Sequence, residues 1–247
     1  MTQDDCKQLE NWFKTSLGQL LLQDEEAELS KIITHYFGYH LLHGGAINYS
    51  ESLSLSPIRH KVYLELHPSS VSPLKGMVKT NIHHLPFLEG SIDLAILSHV
   101  LEFEKSPEAV LKEITYTLIP NGYLIIFGFN PYSLWSFYGK LFKRHSLPWK
   151  GKFLSVRQLR SWLKENHCII DDYKTFSFDL PIENQKMREN FSLIKSIGKT
   201  CWPTNGAVYC LIARKEIATL TPVQIPWRRQ GVPLSKKQAV EPTTRNF

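Results

Sequence analysis

Residues able to do chemistry stand at the ends of apolar runs in this 247-residue chain. Tyr39–His43 leads into Gly44-Gly45, two glycines that would either make a tight strand-to-loop turn or let backbone approach a ligand with no Cβ in the way. Glu65 falls near the end of the next run, 21 residues after Gly44, close to the spacing of about 20 known for dinucleotide-binding folds. Ser98-His99 ends another run, and His99, whose imidazole titrates near neutrality, is a candidate general base. Asn130 and Tyr132 follow a further run at an Asn-Pro turn; they are candidates for facing a substrate, or for packing that turn. His83-His84 has no third ligand at recognisable spacing, so loop polarity accounts for it better than a metal site.

The elements that must position these residues are legible around one unit, Leu85 to Pro131. Ile92–Leu97 and Tyr123–Phe129 are short and almost wholly apolar, as in strands covered on both faces. Between them Ser106 is placed to cap a helix with Pro107 at its first position, and Val110, Leu111, Ile114 and Leu118 make one apolar stripe. Pro120 and Asn121-Gly122 end it. A parallel crossover of this length is right-handed, which puts both strands in one sheet with the helix on a face. Upstream, residues 5–37 read as two helices divided at Asp24-Glu25-Glu26, an acidic first turn for the second, with Gly38 at its C-terminal cap. His60–Leu66 and Gly76–Asn81 read as the second and third strands. Downstream, Ser155 and Gln158 form a capping box for a helix reaching about His167. A strand over Ile169–Phe178, a helix near Gln185–Ile197 and a last strand over Ala207–Lys215 complete the order.

Leu-Pro-Phe (85–87), Ser-Ile-Asp-Leu (91–94), His-Val-Leu-Glu-Phe (99–103) and Leu-Ile-Pro-Asn-Gly (118–122) together resemble class I S-adenosylmethionine (SAM) methyltransferases of the type 11 kind. Gly-Phe-Asn-Pro-x-Ser-Leu-Trp (128–135) and the run from Gly198 to Lys215 are similar to a bacterial branch of them, so the resemblance covers about residues 36–230. It implies a Rossmann-like α/β fold: a seven-stranded, mostly parallel sheet with helices on both faces, an antiparallel last strand and an N-terminal helical extension. Residues 1–38 would be the helices, 39–218 the methyltransferase-like domain and 219–247 a basic extended tail. By the same resemblance SAM would contact Gly44, Gly45, Glu65, Leu66, Asn81, Ile82 and Ser98. Glu65 would accept the ribose hydroxyls, Asn81 the adenine amino group, and Ile82 would lie against the ring. The chain departs from the family at the first strand, where Leu42 replaces an acid and Ala46 and Asn48 replace two glycines.

Charge divides the chain. Residues 1–113 carry nine basic and fifteen acidic residues, whereas residues 114–247 carry twenty and eight. Between Glu113 and Glu165 there is no acid, while Lys140, Lys143, Arg144, Lys150, Lys152, Arg157, Arg160 and Lys164 all occur. An anionic partner is implied, either the methyl acceptor itself (RNA or a small molecule) or an RNA or protein bound by a catalytically inactive relative. From Trp135 to Lys152 aromatics interleave with these bases, a composition that fits stacking on RNA, lying on a membrane surface, or a solvated lid. Absence of an apolar signal core and of a membrane-length run points to the cytoplasm, where four cysteines without CxxC pairing would be reduced thiols.

Overall fold

The computed structural model describes residues 3–45, 47, 49–65, 76–142, 147–178 and 204–216, all within one compact unit, Met1–Ile217. Its strands are β1 (His40–Gly45), β2 (His60–Glu65), β3 (Met77–Lys79), β4 (Ile92–Ser98), β5 (Leu118–Phe129), β6 (Cys168–Phe176) and β7 (Val208–Lys215). They form one seven-stranded sheet in the order β3-β2-β1-β4-β5-β7-β6. β7 runs antiparallel to both of its neighbours, and the other pairings are parallel. Strand order reverses between β1 and β4, the switch point at which ligands bind above the carboxyl ends of open α/β sheets.

Helices cover both faces, which explains the nearly continuous apolar runs of β4 and β5. On one face α4 (Pro107–Thr117) and α6 (Val156–Glu165) set Leu111, Ile114 and Leu159 against Leu42, Ala95, Leu124 and Leu211. On the other, α1 (Gln3–Phe13), α2 (Ser16–Ile33) and α3 (Ser50–Ser54) set Leu9, Leu21, Leu29 and Leu53 against Leu41, Ile96 and Phe127. The N-terminal helices therefore share the core of the sheet. A further helix, α5 (Leu134–Phe142), follows the carboxyl end of β5.

Several boundaries differ from the sequence expectation. The break between the first two helices is at Thr15, whose hydroxyl accepts from Gly18 N at 3.2 Å, and Asp24-Glu25-Glu26 lies inside α2. A side-chain cap outranks an acidic turn as a start signal because it satisfies an otherwise orphaned N–H. Gly38 stands beyond the end of α2; a Cβ there would meet the Asp93 side chain at 2.4 Å. That carboxylate accepts from Tyr39 N and His40 N, so Gly38 is needed for close approach rather than for a cap. Ser106 precedes α4 without a capping hydrogen bond, leaving Pro107 as the start signal. The box at Ser155 and Gln158 forms as expected. Leu66, Ala46, Asn48, the helix expected near Gln185–Ile197 and the tail lie outside the described residues.

Candidate functional site

Parallel register fixes the geometry of the switch point. Gly44 pairs with Leu64 of β2 and Leu97 of β4, and Gly45 pairs with Ser98. The two strands on either side of the reversal thus end level with each other. Glu65, one residue past Leu64, ends β2 beside them and is half-buried. Gly45 is held to glycine by this arrangement: a Cβ would fall 1.9 Å from Ser98 Oγ and 2.5 Å from Ser98 O. Gly44 is less constrained, since its nearest neighbour would be the end of the Leu64 side chain at 3.1 Å. Leu42, the residue standing in place of an acid, is 1% exposed in the core below.

Asn81 and Ile82 follow β3. Asn81 is exposed, and its Oδ1 accepts from His83 N at 3.0 Å. Ile82 is buried in the core shared with Leu42 and Leu64. His83 pairs with Glu104 at 2.9 Å, and among the described residues no cluster of three His, Cys, Asp or Glu could hold a metal. Ser98 is fully buried, with its Oγ 3.2 Å from His43 Nε2. Burial disfavours the charged imidazole of His43 and pulls its pKa down to about 4.

His99 is also fully buried, in the left-handed backbone region at φ 52°. A non-glycine residue there costs about 1–2 kcal/mol and persists only where its surroundings impose it. They do so here. His99 Nε2 lies 2.7 Å from Glu25 Oε1, and Nδ1 lies 3.3 Å from Glu102 Oε1. Tyr49 Oη donates to the other oxygen of Glu25 at 2.6 Å, and Phe129 N donates to Glu102 Oε1 at 2.8 Å. The rings of Phe13 and Phe129 enclose the imidazole at centroid distances of 5.5 and 4.2 Å. Burial by itself would favour neutral imidazole, but the two carboxylates outweigh it and raise the pKa to about 10. An imidazolium with both nitrogens engaged has no lone pair to abstract a proton, so in this arrangement His99 ties α2 to the ends of β4 and β5.

Asn130 and Tyr132 separate. Asn130 is buried: its amide donates to Thr204 O and Gly206 O at 2.8 and 2.9 Å, and its Oδ1 accepts from Tyr132 N. It clamps the end of β5 to the residues entering β7. Tyr132 is 68% exposed at the rim.

In the sequence Glu25 reads only as a helix-start acid and His43 only as a strand end, and nothing local singles out Tyr49. One signal was present, because Leu17, Leu21, Glu25, Leu29 and Ile33 recur at intervals of four, placing a carboxylate in the middle of an apolar stripe.

A seven-stranded sheet in the order β3-β2-β1-β4-β5-β7-β6, with β7 antiparallel and helices on both faces, is the Rossmann-like architecture of class I methyltransferases. Residues 54–126 match the family model described as a methyltransferase domain, of type 11. The match begins past β1, so Gly44 and Gly45 lie outside it. The uncharacterised protein YafS of Escherichia coli K12 is 28% identical over 154 residues, 62% of each chain, so the chain spans under two thirds of that relative. A SAM-dependent methyltransferase of Thermotoga maritima, described as a possible histamine N-methyltransferase, superposes with a TM-score of 0.55 at 18% identity, covering 84% of this chain and 94% of that one. A chain from the complex between the Haloferax volcanii Trm112 methyltransferase activator and a protein described as a putative methyltransferase gives 0.57 at 13% identity, covering 77% and 88%. At these identities the structural likeness is one of fold. Residues 54–126 are therefore similar to a type 11 methyltransferase domain, carried on a class I methyltransferase fold, and that similarity implies S-adenosylmethionine as the cofactor.

Proposed function

We propose that the chain is an active SAM-dependent methyltransferase whose cofactor lies across the carboxyl ends of β1, β2 and β4. The observation that carries this reading is the level ending of β1 and β4 at Gly45 and Ser98, with Glu65 on the adjoining strand end. These residues fit the cofactor, the glycines beside its methionine part and Glu65 and Asn81 at its nucleoside. Gly44 and Gly45 put no side chain over the edge, and a carboxylate suits vicinal ribose hydroxyls. Asn81 Oδ1 accepts one hydrogen bond from His83 N and has a second lone pair for the adenine amino group. The amino-acid half is served differently from the family pattern. Leu42 is sealed in the core, and the nearby Glu25 carboxylate is committed to Tyr49 and His99.

When bound, the cofactor supplies an electrophilic methyl group on a sulfonium centre. The chain's part is then alignment and exclusion of water, which need no distinctive acid or base. This agrees with the full engagement of His99 and Asn130. The basic second half of the sequence favours an anionic acceptor.

Isothermal titration with SAM and S-adenosylhomocysteine tests the reading. Both should bind, and Glu65→Ala should weaken SAM roughly tenfold, the value of about one charge-assisted hydrogen bond. No heat up to millimolar cofactor would leave a binding module without turnover. Binding unaffected by Glu65→Ala would move the ribose elsewhere.

A further inference from the structure

α5 is built to face two ways. Its inner face is Trp135, Ser136 and Gly139, all buried. The helix is pressed so closely onto Trp149 that a Cβ on Gly139 would overlap the indole at 1.6 Å. Trp149 Nε1 donates to Trp135 O at 3.0 Å, and Trp12 meets both indoles edge-on at centroid distances of 6.1 and 6.2 Å. This aromatic bed supports α5 from below and leaves its outer face to something else. That face carries Leu134, Phe137 and Leu141, which are 50%, 68% and 61% exposed, at the i, i+3, i+7 spacing of one helical stripe. Tyr132, 68% exposed, adjoins it in sequence, and Lys140 shares the exposed side.

Large apolar side chains aligned on one helix are not the scattered exposure of an ordinary surface. Their setting is basic. Lys143 and Arg144 follow the helix in sequence, Lys150 and Lys152 flank the Trp149 bed, and no acid occurs from residue 114 to residue 164. Lys150 pairs with Asp5 of α1 at 3.3 Å. We propose that this outer face of α5 docks on an anionic lipid surface, the apolar stripe entering the headgroup boundary while the lysines meet lipid phosphates. An apolar face with basic flanks and an interfacial tyrosine is the composition that such binding requires. A second copy of the chain fits less well, because a two-fold contact would set the same lysines against each other. RNA fits less well too: Phe137 and Tyr132 offer rings, but Leu134 and Leu141 fill the rest of the face with aliphatic surface that no base can stack on. The inference stands independently of methyl transfer.

The test is co-sedimentation of the full chain with phosphatidylcholine vesicles, with and without phosphatidylglycerol. The chain should pellet with the anionic vesicles and be released by high salt. Phe137→Ser with Leu141→Ser should lower partitioning at least about tenfold, and Lys140→Glu several-fold. Phe137→Leu, which keeps apolar area, should retain binding and so separates a lost surface from a damaged fold. Failure to bind anionic vesicles overturns the proposal, as does unchanged partitioning of the double variant. A dimer that the double change splits, or an RNA homopolymer bound through the same residues while vesicles are ignored, assigns the face elsewhere and also overturns it.

Discussion

Glu25 Oε1 and His99 Nε2 meet at 2.7 Å with both side chains withdrawn completely from solvent, joining the middle of α2 to the carboxyl end of β4. The pair bridges residues 74 apart in sequence, at the edge where a ligand of this fold would sit. Removing one member of a buried pair strands the other charge, which costs about 3–5 kcal/mol. Glu25→Ala should therefore lower unfolding stability by about that amount, as read from urea denaturation, and should also leave Tyr49 Oη without its acceptor. Glu25→Gln should cost less, because an amide oxygen can still accept from the imidazolium. Equal losses in the two variants would mean that packing, not charge, is what Glu25 contributes.

His43 and His99 give stability opposite dependences on pH. The pKa of His43 is depressed to about 4, below its unfolded value near 6.5, so the unfolded chain binds more protons between those values. Stability from this group is complete above about 6.5 and falls as the medium is acidified toward 4. The pKa of His99 is raised to about 10 by Glu25 and Glu102 against the cost of burial, so its contribution is complete below about 6.5 and is lost as pH rises through 10. Thermal unfolding followed across this range should show greatest stability near neutrality. His43→Gln should flatten the acid limb. An alkaline limb unchanged in a His99→Gln protein would show that the imidazolium is not its source.

The sheet and the central strand–helix–strand unit were legible because burial on both faces writes itself into sequence as apolar runs. Local signals were legible where a single short-range bond carries them, as at Ser155 and Gln158. What escaped depends on partners far away in the chain. Glu25 reads as a helix-start acid until His99 and Tyr49 are brought to it, and Gly38 reads as a cap until Asp93 occupies the space of its Cβ. Asn130 looked available to a substrate because nothing local shows that its amide is committed to carbonyls 74 and 76 residues away. The first strand, expected over Tyr39–His43, runs two residues further, because Gly44 and Gly45 continue the ladder beside Leu97 and Ser98 and no short-range signal marks that pairing.

Gly44 and Gly45 offer a way to separate folding from ligand binding at the switch point. A methyl group on Gly45 would collide with the backbone oxygen of Ser98 at 2.5 Å, which cannot rotate away, as well as with its hydroxyl. Gly45→Ala should therefore destabilise by about 1–3 kcal/mol, the usual cost of forcing extra volume into a packed strand. On Gly44 the same methyl group would meet only the ends of Leu64 and Leu97 at 3.1 and 3.4 Å, flexible tips that can give by a few tenths of an ångström. Gly44→Ala should stay within about 1 kcal/mol of the parent, helped by reduced freedom of the unfolded chain. Thermal melts of the two variants test this order, and a reversed order would mean that the β1–β4 edge is spaced differently. Because the Gly44 variant should fold, its SAM affinity can be read directly by calorimetry. A loss there without a loss of stability would mean that backbone approach at Gly44 serves the cofactor, whereas unchanged affinity would leave the packing of β1 against β2 as its role.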